Sequence, residues 1–307
     1  MEFKNIALLI TENCNARCKM CCDSRGEVCG KTVTSAELDF ILNNIKGASE
    51  IESVGITGGE PMLYPEIVER ILNYDFGRSM SITLKTNGFW GKNIVKTESF
   101  IQDNKDKLSY ISLSYDAFHK EFIHVDYLIN IIKIAAKYGV HTEVVGCFLK
   151  NGAKPGDILN DFGEAAYYTD FCYQPVIKTG SACCFEDSEL IKLLSTDDID
   201  IRCVAVSQPD ILINAKLDVF PCCSQVIENT ILEFGNLNDS SLNNIISDIK
   251  HNKILFTIFT EGFAPFIDFM NLHKIKYPHH LASPCELCAY LFESDWFLKE
   301  LQKYGFY

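Results

Sequence analysis

Long apolar runs are the first thing this 307-residue chain lacks. No window approaches the ~18 consecutive apolar residues of a membrane-spanning helix, so a helical span is excluded. The opening "MEFKNIALLITENC" contains only "IALLI", too short for the apolar region of a secretory signal and followed by no cleavage site. The expectation is a cytoplasmic protein, in a compartment where structural disulfides are rare. Positive charge is also scarce: 28 Lys and Arg stand against 41 Asp and Glu, a formal net charge of −13. That balance argues against a nucleic-acid backbone or an anionic membrane as principal partner and suits a small molecule or a neutral or basic peptide. Low-complexity tracts are missing as well. With 47% hydrophobic and 22% charged residues, the chain reads as globular, long enough for one large domain or a large domain with a small one.

Against these absences stand fourteen cysteines, most of them clustered. Cys14, Cys18, Cys21, Cys22 and Cys29 lie near the front, and Cys203, Cys222, Cys223, Cys285 and Cys288 lie late. In a reducing compartment such clusters point to metal binding or redox chemistry rather than disulfides.

Between the clusters, short apolar runs alternate with helix-period segments. Strands are expected at 5–11, 51–57, 80–86, 109–114, 142–149 and 172–178. "TSAELDFILNNIKGA" opens with a capping box, Thr34 to Glu37; "PEIVERILNY" places Pro65 in a first turn; "DYLINIIKIAAKYG" runs to a stop at Gly139. Repeated strand-then-helix order implies a parallel α/β sheet, and about six units imply an open or partial barrel with its site at the carboxyl ends of the strands. After roughly residue 190 the pattern changes. A polar linker, "STDDIDIR", is followed by short strands near 211–221, helices in "SLNNIISDIKHN" and "LFTIFTEGFAPFIDFMNL", and a cysteine-bearing turn, read as a second small domain.

The motifs fall at the strand ends. "CNARCKMC" spaces Cys14, Cys18 and Cys21 on one tight loop after the first strand, enough thiolates for three irons of a four-iron cluster. Structural zinc is the alternative, but it wants a fourth ligand that only Cys22 is near enough to strain toward. "ITGGEP" ends the second strand with Gly58, Gly59 and Glu60: glycines permit close backbone approach, and the carboxylate adds an acceptor. "KTNGFWG" carries Asn87 past the third strand, and "SLSYDAFH" carries Ser114 and Asp116 past the fourth. Turn formation and capping explain such residues equally well. Phe89 and Trp90 suit either a channel or the core, with the core favoured.

The C-x3-C-x2-C loop followed by GGEP resembles the radical S-adenosylmethionine (SAM) superfamily over about the first 190 residues. The resemblance implies a partial (β/α)6 TIM-like barrel over 1–190, with a [4Fe–4S] cluster on Cys14, Cys18 and Cys21 whose open iron takes the amino and carboxylate groups of SAM. It implies cofactor contacts at Gly58, Gly59, Glu60, Asn87, Ser114 and Asp116. The usual aromatic before the third cysteine is replaced here by Met20. The late set Cys203, Cys222, Cys285 and Cys288 resembles the Twitch/SPASM auxiliary domain of peptide-modifying members, which implies a second [4Fe–4S] cluster in 191–307; zinc is the alternative for four thiolates. "NGFWG", "SYDAFH", "PCCS" and "CELCAYLF" occur in the order found in the epipeptide epimerases, enzymes that turn L-residues into D-residues in a ribosomally made peptide. That likeness implies Cα-hydrogen abstraction by a 5′-deoxyadenosyl radical, hydrogen return from a cysteine thiol, a precursor peptide as substrate, and flavodoxin or ferredoxin as electron donor. A metal-bound sulfur has lost its proton, so the returning thiol must lie outside the clusters. Neighbours on an extended chain face opposite ways; if Cys222 is the ligand, Cys223 is the donor, with the reverse assignment and a spare buried thiol as alternatives. Competing readings are a peptide crosslinking relative and a noncatalytic iron–sulfur carrier. Cys147 and Cys172 are expected as buried packing thiols, Cys22, Cys29, Cys183 and Cys184 have no evident partner, and His119 is expected at the surface or in packing.

Overall fold

The computed structural model describes residues 2–22, 30–197, 200–203, 205, 209–224 and 226–306. Cys29 lies outside the described residues, as does part of the linker. The first half is a regular alternation: β1 Asn5–Leu9, α1 Ser35–Gly47, β2 Ser53–Thr57, α2 Pro65–Leu72, β3 Ser81–Thr86, α3 Ile94–Asn104, β4 Leu108–Ser114, α4 Val125–Tyr138, β5 His141–Phe148, α5 Pro155–Asp161 and β6 Asp170–Pro175. Local chemistry sets the helix ends. Thr34 Oγ accepts from Glu37 N at 3.3 Å, and the Glu37 carboxylate accepts from Thr34 N at 2.7 Å, closing the capping box. α1 then buries Leu38, Ile41, Leu42 and Ile45, one stripe at helical spacing. α4 stops at Gly139, whose φ of 74° suits a residue without Cβ.

Strands β1 to β6 pair in parallel and in order, with Asn5 opposite Ser53 and Glu143 opposite Asp170. The outer face of each strand is apolar and lies against the helices: Ile82 and Leu84 in β3, Ile111 and Leu113 in β4. The concave face is not. Lys85, Tyr110, Ser112, Glu143 and Cys147 alternate with those buried residues. A filled barrel would put branched apolar side chains there; this one is open, with β6 at one edge, and its lumen is polar. This is an α/β fold with a mostly parallel sheet, the partial-barrel arrangement expected.

The later chain adds β7 Leu194–Ser195, β8 Asp210–Ile213, β9 Asp218–Phe220, β10 Gly235–Asn236, α6 Leu242–His251, α7 Lys253–Thr260, α8 Ala264–Leu272, β11 His280–Leu281, α9 Pro284–Phe292 and α10 Trp296–Lys303. β8 pairs in parallel with β1, Asn5 opposite Asp210, and β9 and β10 follow antiparallel, so one nine-stranded sheet runs across residue 190 in the order β10-β9-β8-β1-β2-β3-β4-β5-β6. One apolar core likewise reaches from Phe3 to Leu301, with Phe3 meeting Phe259 edge-on at 6.3 Å. One expectation is corrected. "CELC" is not a turn but the first turn of α9, because Pro284 suits a first helical position and Ser283 Oγ caps the helix by accepting from Cys285 N at 3.2 Å.

Candidate active site

The loop after β1 is braced from three sides. The β2 end pulls alongside it, with Gly59 N donating to Thr11 O at 2.7 Å and Glu60 N to Asn13 O at 2.8 Å. A Cβ on Gly59 would sit 2.3 Å from the Asn13 carbonyl oxygen, and one on Gly58 would sit 2.6 Å from that of Thr11. The glycines are therefore demanded by this backbone-to-backbone approach. From the opposite side, Glu12 N donates to Lys31 O at 2.8 Å. At the loop's far end Ser181 N donates to Cys21 O at 2.9 Å, and Gly180 lies so close to Cys22 that a Cβ would meet its carbonyl oxygen at 2.0 Å.

So held, Cys14, Cys18 and Cys21 line a single cavity of about 580 Å³ at the carboxyl ends of the strands, a size typical of small-molecule sites. Gly58, Gly59, Asn87, Ser114 and Asp116 line the same cavity. Burial pushes the Cys14 thiol up to about 11, and burial, then the charges of Asp116, Cys21 and Cys14, push Cys18 up further. The three sulfurs are thus electrostatic neighbours around one space. Among the described residues no three Cys, His, Asp or Glu side chains converge tightly enough for a single ion; three thiols spread around a cavity match the three-point attachment of a four-iron cluster.

The other candidate residues divide. Asn87 Nδ2 donates to Asn15 Oδ1 at 2.8 Å and approaches Cys14 Sγ at 3.9 Å, so it borders the cysteine loop. Ser114 ends β4 at the cavity wall. Glu60, expected at the cofactor, is fully buried outside the lining: its carboxylate accepts from Met62 N, Thr86 Oγ1 and Asn87 N, while burial lifts its pKa to about 7. It ties the β2 and β3 ends together, as a positioning group. Asp116 lines the cavity, but its oxygens are also engaged internally, accepting from Phe118 N, His119 N, His119 Nδ1 and Cys147 N. Burial alone would raise the Asp116 pKa; the His119 contact and the backbone donors outweigh it and hold the acid below its ordinary value.

Some expectations change. His119, read as surface or packing, lines the cavity with only 11% of its side chain exposed. Its place after the fourth strand is the signal that sets it apart from the other histidines in the sequence. Cys147 also lines the cavity, and Cys172, expected buried, is exposed because β6 is an open edge. Trp90 is structural: it packs edge-on against Phe100 at 5.3 Å and donates Nε1–H to Thr86 Oγ1. Cys22 and Cys184 border the cavity mouth, and Cys183 is exposed.

A second thiol group forms where α9 meets the end of β9. Cys285 and Cys288, three residues apart, share one face of α9. Burial raises the Cys288 thiol, helped by Cys285 and Cys203; burial raises Cys222, helped by Cys288 and Cys203; burial raises Cys203 to about 11, helped by Cys285. Cys203, Cys222, Cys285 and Cys288 thus lie within electrostatic reach of one another in turn, Cys222 with Cys203 and Cys288 and these two with Cys285, although among the described residues no three converge tightly enough for a single ion. Cys223 belongs elsewhere. Its Sγ donates to Asp210 Oδ2 at 3.3 Å, and its charged neighbours are Lys85 and Asp210, lumen residues of β3 and β8. It keeps solvent contact through the open lumen, yet the surrounding wall and then the Asp210 carboxylate push the thiol up to about 12.

The radical SAM superfamily model matches residues 8–160, the segment that builds the cysteine loop and cavity. The chain belongs to the radical SAM superfamily. Membership implies a [4Fe–4S] cluster and SAM. YydG of Bacillus subtilis (strain 168), whose name assigns it to peptide biosynthesis, is 23% identical over 315 residues, covering 99% of this radical SAM chain and 98% of YydG. Two solved structures share the fold. SuiB of Streptococcus suis, bound to precursor peptide SuiA, aligns with a TM-score of 0.61 at 15% identity, covering 94% of this chain and 77% of SuiB. anSMEcpe, with AdoMet and the Cp18Cys peptide, aligns with a TM-score of 0.55 at 14% identity, covering 98% and 97%. Among the described residues, no helix is long and apolar enough to cross a membrane.

Proposed function

We propose that this chain is a radical SAM peptide epimerase that inverts L-residues of a ribosomally made precursor peptide, with Cys223 returning the hydrogen atom. The whole-chain likeness to YydG and the peptides bound by SuiB and anSMEcpe support a peptide substrate. In this reading Cys14, Cys18 and Cys21 hold the SAM-binding cluster, Gly58, Gly59, Asn87, Ser114 and Asp116 surround SAM, and Cys203, Cys222, Cys285 and Cys288 hold a second [4Fe–4S] cluster in an auxiliary unit over 191–307. When bound and reduced by one electron from a flavodoxin or ferredoxin, the front cluster and SAM supply a carbon radical able to remove a hydrogen atom from Cα.

The observation that carries the epimerase reading is the divergence of Cys222 and Cys223: one sulfur joins the thiol quartet, the other faces the lumen. Inversion needs a hydrogen atom delivered to the face opposite the one attacked. A thiolate has no hydrogen to give. Burial and Asp210 keep Cys223 as S–H at neutral pH. Donating that atom leaves a sulfur radical, which needs one electron and one proton to become S–H again. The proton enters from solvent through the open lumen, with the Asp210 carboxylate at hydrogen-bond distance to relay it, and the thiol quartet, beginning at the adjacent residue, would supply the electron.

A crosslinking reading draws on the same quartet, since a second cluster there could accept the electron that bond formation releases. Reconstituted enzyme, SAM and dithionite with a ribosomally made precursor peptide separate the readings. Epimerisation leaves peptide mass unchanged in H2O and adds a deuterium per inversion in D2O; crosslinking removes two hydrogens. Cys223→Ala is expected to keep its iron and still yield 5′-deoxyadenosine, but to make no D-residue. Normal inversion by that variant would end the donor assignment, and absence of 5′-deoxyadenosine in the wild type would leave the carrier reading.

A further inference from the structure

Lys85 is next to last in β3, opposite Ser112 of β4. Its neighbours Leu84 and Thr86 are buried on the outer face, so the Lys85 side chain turns into the lumen, where it lines the cofactor cavity. Its ammonium acts on two thiols at different places, offsetting the burial that lifts Cys147 in the cavity wall and the burial that lifts Cys223 farther along the lumen. Lys85 thus lines the cavity, and its charge is felt at both thiols. Among the described residues, the Lys85 ammonium makes no hydrogen bond or ion pair, in a chain with 41 acidic residues. The lumen carboxylates are served by other donors: Asp210 by Asn5 Nδ2 at 2.8 Å and by Cys223, Glu143 by Ser112 Oγ at 3.0 Å, Asp116 by His119 and three backbone N–H groups. Lys85 is thus a donor at the cavity wall whose acceptor arrives from outside.

We propose that Lys85 is a substrate-positioning residue that donates a hydrogen bond to the backbone carbonyl oxygen of the peptide residue undergoing inversion. This rests on the peptide-epimerase reading and adds to it what fixes the reacting carbon. A Cα centre that loses its hydrogen becomes planar with the adjoining carbonyl. A donor on that oxygen therefore sets which face of Cα meets the cofactor and which meets Cys223. A charged donor also makes the stronger hydrogen bond, and the carbonyl oxygen gains electron density as the radical delocalises onto it. Every residue has this carbonyl, so the contact aligns a target without reading its side chain.

The test is a binding cycle on holoenzyme loaded with SAM. The probes are a precursor peptide that the wild type inverts and the same peptide with the target carbonyl replaced by a thiocarbonyl, a weaker acceptor. The target is located by deuterium uptake in the wild type. Lys85→Met is expected to keep its iron content and its SAM affinity, and to bind the natural peptide about tenfold more weakly, the loss typical of one charged hydrogen bond. The wild type should lose affinity for the thiocarbonyl peptide by a similar factor, and Lys85→Met should lose nothing further, because the same bond is already missing. Lys85→Arg should restore most of the affinity. Unchanged peptide affinity, or losses that simply multiply, would overturn the assignment. So would weakened SAM binding in Lys85→Met with peptide affinity intact, which would give the ammonium to the cofactor carboxylate. Failure of the underlying reading looks different: a wild type that ignores the peptide, or that crosslinks it, overturns the epimerase reading by its product and not by the behaviour of Lys85 variants.

Discussion

Cys222 and Cys223 are adjacent in the chain and opposite in surroundings, and the difference is electrostatic. Cys222 is raised by burial and by Cys288 and Cys203, whereas Cys223 shares a hydrogen bond with Asp210. Burial is the larger cause of the Cys223 shift to about 12 and the carboxylate the next. Both disfavour the anion, so the thiolate appears only well above neutrality. Asp210→Asn removes the negative charge and is expected to bring the Cys223 pKa down by on the order of one unit. Iodoacetamide labelling of Cys223, followed by peptide mass mapping across pH, should show the inflection at lower pH; an unmoved inflection would mean that Asp210 does not hold the proton in place. Residue identities at the front site were legible because thiols at fixed spacing on one loop have few other uses. The task of Glu60 was not, since a carboxylate after two glycines reads the same whether it meets a ligand or, as here, three donors from its own chain.

At the scale of elements, the cysteine loop owes its shape to neighbours. Gly59 contributes no side chain, yet its substitution is expected to matter more than that of most polar residues nearby. Gly59→Ala would bring a methyl group to 2.3 Å from the Asn13 carbonyl oxygen, forcing apart the backbone bridge that seats Cys14. The expected result is selective loss of the front cluster, with iron falling by about four per chain and the spectrum of the proposed second cluster retained. Iron analysis with EPR checks it; full iron content in Gly59→Ala would show that the loop can seat without that contact. Six strands and the capping box were readable from periodicity and the Thr34–Glu37 pair because both are local. The "CELC" segment misread as a turn because a Pro and two cysteines override helical periodicity in a short window, although Ser283 and Pro284 together form a helix start.

Over the whole molecule, the late chain is stitched to the early one. β8 enters beside β1, and α9 brings Cys285 and Cys288 to Cys222 and Cys203. Cys288→Ala is expected to remove the second cluster and about four irons while sparing the front cluster, as measured by iron content and by EPR of the reduced protein; if iron does not fall, the quartet is not a cluster site. Short-range facts about this protein were determined by its sequence alone: alternating strands and helices, a three-thiol loop and two glycines at a strand end. These depend on a few bonds' worth of geometry, which the order of residues dictates directly. Only the tertiary structure decided that Asp116 and His119 meet at the cavity wall, that Cys222 comes within electrostatic reach of Cys203 and Cys288, and that Cys223, Asp210 and Lys85 share a lumen. Those meetings depend on the parallel register and on β8 choosing the free edge of β1, and pairing across two hundred residues is settled by the packing of the whole sheet.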